Sequence, residues 1–162
     1  MGRAVLIALA GARGAGKSTV AAAIIAARAT GQVVSFADPL YAILAGLGVP
    51  RALSRDAKEA PSLHLGGASP REFLIASGDF IRATCGADYL IRRALSRAGP
   101  EDVIDDVRTP AEHEAIYQSG GIVIYLTGRG IPRDPRGIPI DNSGDIDNTT
   151  RAILTACGQS HS

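Results

Sequence analysis

Residues 11–18 read Gly-Ala-Arg-Gly-Ala-Gly-Lys-Ser, and what flanks them restricts the fold more than any other feature of the chain. Ahead of them stands Ala4-Val5-Leu6-Ile7-Ala8-Leu9-Ala10, a continuous apolar run with β-branched members. That is the pattern of a strand buried on both faces of a parallel sheet. Behind them, residues 17–29 are Ala-rich with apolar positions at helical spacing, and Gly31 suits the cap that ends this helix. Between that strand and that helix, the loop matches G-x-x-x-x-G-K-[ST] at every fixed position. Glycines allow the backbone to curl so that successive N–H groups face inward, and the helix start adds its positive dipole end. Such a loop holds phosphate, with Lys17 reaching β and γ oxygens and the Ser18 hydroxyl available to Mg²⁺. The spacing lacks G-x-G-x-x-G, which disfavours a dinucleotide-binding fold.

Strand and helix signals alternate along the remaining chain. Val33 to Phe36 reads as a second strand, and Pro39 suits the first turn of a helix over 40–47. Residues 48–70 show no clear periodicity and read as a mobile connection or short helical pieces. Helices are expected over 71–84 and 87–98, then a strand over 103–107 that includes Asp105 and Asp106. Thr109 caps a helix over 110–119, Gly120-Gly121 breaks it, and Ile122 to Leu126 is another buried strand. Ile138-Pro139-Ile140 reads as an edge strand and residues 145–157 as a closing helix. The expected fold is α/β: a P-loop NTPase-like three-layer αβα arrangement with a parallel sheet of about five strands. One domain over 1–162 is expected, with an acceptor-binding excursion over about 38–98 and a lid loop over about 128–140.

Seventeen basic residues against sixteen acidic leave a net charge of +1, which argues against a generic nucleic-acid or membrane-surface binder. No run approaches the roughly eighteen apolar residues of a membrane span. Nothing reads as a secretory signal, so the expected location is the cytoplasm, a host's if the chain is phage-encoded. Cys85 and Cys157 read as small core residues, and His64, His113 and His161, with no ligand spacing, as surface groups. Fifteen of the seventeen basic residues are Arg; only Lys17 and Lys58 are Lys, and Lys58 reads as surface.

A phosphate loop alone does not separate a kinase from a GTPase or a switch. Guanine-reading N-K-x-D is absent, and the chain is too short for a large ATPase. Arg is abundant in loops, and guanidinium forks suit phosphate oxygens. The blocks LIALAGARGAGKSTVA (6–21), FADPLY (36–41), PREFLIASGDFIR (70–82) and VIDDVRTPAEHEAIYQSGG (103–121) resemble the phage-type deoxynucleoside monophosphate kinases. The closing IDNSGDIDN (140–148) is similar to that family's base-proximal segment.

The resemblance implies ATP- and Mg²⁺-dependent phosphoryl transfer to a (deoxy)nucleoside 5′-monophosphate. Gly11, Ala12, Arg13, Gly14, Ala15, Gly16, Lys17, Ser18 and Thr19 would bind ATP, with Asn142 near the donor adenine; an Asx turn explains Asp141 and Asn142 equally well. Asp38, past the second strand, would meet the acceptor or a metal-bound water, or else cap a helix. Arg71 and Arg82 would meet the acceptor monophosphate; their plainer reading is surface ion pairing. A strand-end carboxylate can hold Mg²⁺ through water, and alternation sends Asp105 and Asp106 to opposite faces. The family match falls on Asp106, alongside Ser18 as metal residue and with Arg108 as acceptor-side and catalytic partner. Arg129, Arg133 and Arg136 would close over the transferring phosphoryl group, or else form a basic surface loop. Another small-molecule kinase, such as one resembling dephospho-coenzyme A kinase, and a non-catalytic nucleotide-binding switch remain alternatives. Oligomeric state is open, a homodimer included.

Overall fold

The computed structural model describes residues 4–127 and 134–158. Five strands make one sheet: β1 (Ile7–Gly11), β2 (Val33–Val34), β3 (Val103–Val107), β4 (Ile122–Leu126) and β5 (Ile138–Ile140). The helices are α1 (Lys17–Arg28), α2 (Asp38–Gly46), α3 (Arg55–Glu59), α4 (Pro70–Cys85), α5 (Tyr89–Leu95), α6 (Pro110–Gln118) and α7 (Ile146–Ala156). Strand order is β2-β3-β1-β4-β5, and every pairing is parallel. The apolar strand is therefore the middle of the sheet, and Ile7, Ala8 and Leu9 are fully buried. From β1 the chain steps outward through α1, and from β3 it crosses back over β1 through α6 to β4. Right-handed crossovers in opposite directions put their helices on opposite faces. On the α1 face, Val20, Ala21 and Ile24 join Ile153 and Leu154 of α7 and Ile7, Leu9, Val103, Ile124 and Leu126 of the sheet.

The chain divides into two compact units, Met1–Ser35 with Ala94–Ser162, and Phe36–Arg93. The first holds the sheet, α1, α6 and α7. In the second, α4 packs with α2 and α3. Its N-terminus is closed by a capping box: Glu72 N–H donates to Ser69 Oγ at 3.2 Å, and Ser69 N–H donates to Glu72 Oε2 at 2.7 Å. The same device, with Pro at the first position, opens α6 through Thr109 and Glu112. No helix among the described residues is long and apolar enough to cross a membrane.

Of the two readings of 48–70, the structure takes the short helical pieces: α3 and a 3-10 turn at Leu63–Leu65, neither with a buried residue. Two local outcomes differ from the sequence reading. Cys85 is exposed at the end of α4 rather than in a core, while Cys157 is buried, which pushes its thiol up to about 11. The end of α1 is not Gly31: Ala29 itself takes the left-handed conformation, φ 56°, and its N–H closes on the Ile25 and Ala26 carbonyls. Gly31, φ +85°, is required for another reason, since a Cβ there would stand 2.2 Å from the Glu101 carbonyl oxygen. Ala29→Gly should therefore raise the unfolding free energy in urea by about 1 kcal/mol. Gly31→Ala should lower it by about 2 kcal/mol or more in the same titration.

Candidate functional site

The glycine loop leaves the central strand and enters α1 in the first unit. Gly14 at φ 81° and Gly16 at φ 80° lie in the left-handed region on either side of Ala15, which has negative φ. Alternation of that kind turns successive N–H groups to one side, which forms an anion nest. Gly11 (φ +147°) is confined as well, because a Cβ would lie 3.1 Å from the Leu126 carbonyl oxygen. Several of the loop's carbonyls accept hydrogen bonds. Lys17 Nζ donates to Gly11 O at 2.9 Å and Ala12 O at 3.0 Å, and Asn142 Nδ2 donates to Ala15 O at 2.7 Å.

Ser18, in the first turn of α1, donates its hydroxyl to Asp105 Oδ2 at 2.8 Å. The family match favours Asp106 as the metal carboxylate; in the structure Asp105 is the one on Ser18, while Asp106 Oδ2 accepts from Ser35 Oγ at 2.6 Å. The physical reason is strand alternation: Val103 lies in the core on the α1 face, so Asp105, two residues on, faces α1 and Ser18. The β1–β3 register also breaks here, since Ala8 pairs with Ile104 but Ala10 pairs with Val107. Two residues of β3, Asp105 and Asp106, thus face the single intervening Leu9, a one-residue bulge. Both still act on Lys17. Burial, then the charge of Arg108, push the Lys17 pKa below its ordinary value, while Asp105 and Asp106 push it back up. Arg108 lies exposed just past β3, and its N–H donates to Glu112 Oε2 at 2.6 Å.

Beside the loop opens a cleft of about 460 Å³, lined by Gly14, Ala15, Gly16, Thr19, Asn142, Ser143 and neighbours on α1 and α7. Its size falls in the ordinary range for small-molecule sites. Asp141, next to Asn142, accepts from Ser143 N–H and Oγ at 2.9 and 3.0 Å, an Asx turn that holds its carboxyl below the usual range.

The other expected cations are differently placed. Arg136 donates to Glu114 Oε2 and Asp134 Oδ2, both at 2.9 Å, and lies 4.2 Å over the Tyr117 ring. It is held to α6 through Glu114 and Tyr117, and to Asp134 within its own segment. Arg129 and Arg133 lie outside the described residues. In the second unit, Asp38 is paired with Arg51, Arg71 with Glu59, and Arg82 with Asp79 at 2.7 Å. All three pairs are partly exposed, so their contribution to stability is at most about 1 kcal/mol each.

Sequence reasoning missed two groups. Lys58 is half-buried rather than surface: its Nζ donates to Tyr41 Oη at 3.4 Å, and Arg51 lies 4.6 Å over the same ring. No spacing rule links residues 41, 51 and 58. His113 is buried, with Nδ1 2.7 Å from Thr109 O and Nε2 2.6 Å from Tyr125 Oη. The Thr109 carbonyl can only accept, so Nδ1 carries the hydrogen there. His113 thereby braces the first turn of α6, directly after Arg108. The four-residue spacing from the cap at Thr109 was its one visible signal.

No protein-family model matches the chain, and no curated protein matches it. Solved structures do. The APS kinase of Mycobacterium tuberculosis is similar at a TM-score of 0.54 and 14% identity, over 98% of this chain and 100% of that one. A gluconokinase from Sinorhizobium meliloti 1021 has a TM-score of 0.46 and 18% identity, over 96% and 92%. A shikimate kinase from Bacteroides thetaiotaomicron has a TM-score of 0.41 and 16% identity, over 95% and 78%. The first likeness, with the parallel sheet and flanking helices, defines a three-layer αβα P-loop NTPase fold.

Tyr125→Phe would leave the buried His113 Nε2 without this partner. It should lower the unfolding free energy by about 1 to 2 kcal/mol in urea titration, more than a surface Tyr→Phe change.

Proposed function

We propose that this protein transfers the γ-phosphoryl group of ATP to a (deoxy)nucleoside 5′-monophosphate, yielding the diphosphate and ADP. The observation that carries the donor half is the nest at Gly14–Gly16 with Ser18 hydrogen-bonded to the strand-end Asp105. The acceptor half rests on the family resemblance of the FADPLY, PREFLIASGDFIR and VIDDVR blocks.

Inward N–H groups of the loop would hold the β and γ oxygens, and the cleft lined by Thr19, Asn142 and Ser143 would take the nucleoside. Lys17 would exchange the Gly11 and Ala12 carbonyls for phosphate oxygens, a change of partner with little loss of hydrogen bonding. Ser18 and Asp105 offer hard oxygen donors, one hydroxyl and one carboxylate, which suits an ion that takes its other ligands from water and phosphate. Among the described residues no cluster of three or more His, Cys, Asp or Glu competes for it. Bound there, Mg²⁺ would offset negative charge on the phosphate oxygens. Ser18 would ligate directly and Asp105 through water, with Asp106 holding Ser35 and adding negative potential at Lys17.

Arg108 would steady the acceptor phosphate, with Asp38, Arg71 and Arg82 as further acceptor contacts. Arg129 and Arg133 would neutralise the transferring group and exclude water, since an open site would hydrolyse ATP. A phosphate oxygen is already nucleophilic, so no strong general base is called for and catalysis is positioning plus electrostatics.

A coupled assay of ADP formation across the nucleoside and deoxynucleoside monophosphates tests this reading. At least one monophosphate should stimulate ADP release well above the ATP-only rate, and Lys17→Ala should lower that rate by about a thousandfold. No stimulation by any of them contradicts the reading. Dephospho-coenzyme A and APS belong in the same screen, because stimulation by either alone would reassign the acceptor while keeping the donor site.

A further inference from the structure

We propose that Asn142 is a positioning residue for the phosphate loop and not a reader of the donor base. Its side-chain amide holds the Ala15 carbonyl and so aims the Gly16 N–H at the bound phosphate. This inference rests on the donor half of the proposed function.

Asn142 follows β5, 127 residues beyond Ala15, and its Nδ2 donates to the Ala15 carbonyl oxygen at 2.7 Å. Ala15 sits between two glycines at φ 81° and φ 80°, the two least restrained points of the loop. In a trans peptide the C=O and the next N–H lie in one plane and point in opposite directions. Holding the Ala15 carbonyl toward Asn142 therefore turns the Gly16 N–H to the opposite side. Two further attachments make Ala15 a fixed pivot: its side chain is buried in the α1-face core, and its N–H donates to Ala12 O at 3.1 Å. With the amide in place, the Ala15–Gly16 peptide is set before ligand arrives, and no ordering cost falls on binding.

The two roles for Asn142 differ in what they require of a ligand. A base reader matters only when a base is present, whereas a loop-positioning residue matters equally for a bare phosphate chain. Calorimetric titration of the full chain with Mg²⁺-tripolyphosphate and with Mg²⁺-ATP separates them. Asn142→Ala should weaken both ligands by about the same factor, roughly fivefold. Asn142→Gln keeps the donor on a longer arm and should recover part of the loss for both. A partly unfolded sample would lower the stoichiometry of both titrations without changing their dissociation constants. A loss confined to ATP, or no loss for either ligand, overturns the positioning role. Failure of the unsubstituted protein to bind tripolyphosphate at all would overturn the donor-site reading, and this inference with it.

Discussion

A backbone N–H faces an anion only when the carbonyl of its own peptide points the other way. In the first unit the glycine loop is held by hydrogen bonds around it. Lys17 takes the Gly11 and Ala12 carbonyls, bonds that the proposed function has it exchange for phosphate oxygens. Ala15 N–H also bonds to Ala12 O, Asn142 takes the Ala15 carbonyl, and Val20 N–H takes the Gly16 carbonyl. These partners come from the loop itself, from α1 and from the segment between β5 and α7. The parallel sheet brings the last of these to the carboxyl end of β1, where such folds hold their ligands.

The acidic side of the site obeys a related logic. Two adjacent carboxylates at a strand end repel each other, and a donor for each offsets part of that cost. Asp105 takes the Ser18 hydroxyl and Asp106 the Ser35 hydroxyl. Both then act on the Lys17 ammonium, opposing the burial and the Arg108 charge that push its proton off. Ser35 ends the short second strand, so β2 stops after Val34 where sequence reading extended it to Phe36.

What was legible in the sequence is what local chemistry dictates. The central strand, the glycine loop, α1 and the capped start of α6 follow from apolar runs, glycine positions and cap residues within a few positions of one another. The choice between Asp105 and Asp106 was not legible, because alternation sends them to opposite faces without saying which face α1 covers. Lys58 and His113 were misplaced for a similar reason: their partners, Tyr41 and Tyr125, are 17 and 12 residues away with no period to connect them. Arg136 looked like a cation of a basic loop, but Glu114 and Tyr117 on α6 engage it. The opposite case is Lys17, one of only two Lys among seventeen basic residues, whose position in the loop was enough to predict its place.

In the proposed function the loop and Asp105 together form one site for a Mg²⁺-nucleotide. The most direct test is ATP affinity measured as a function of Mg²⁺ concentration in the unsubstituted protein, Asp105→Asn and Asp106→Asn. Asp105→Asn should raise the Mg²⁺ needed for half-maximal enhancement of ATP binding by about tenfold, a scale set by loss of one hydrogen bond to a charged group. Asp106→Asn should change it by much less. An equal response of the two variants, or ATP binding indifferent to Mg²⁺ in all three proteins, would contradict it.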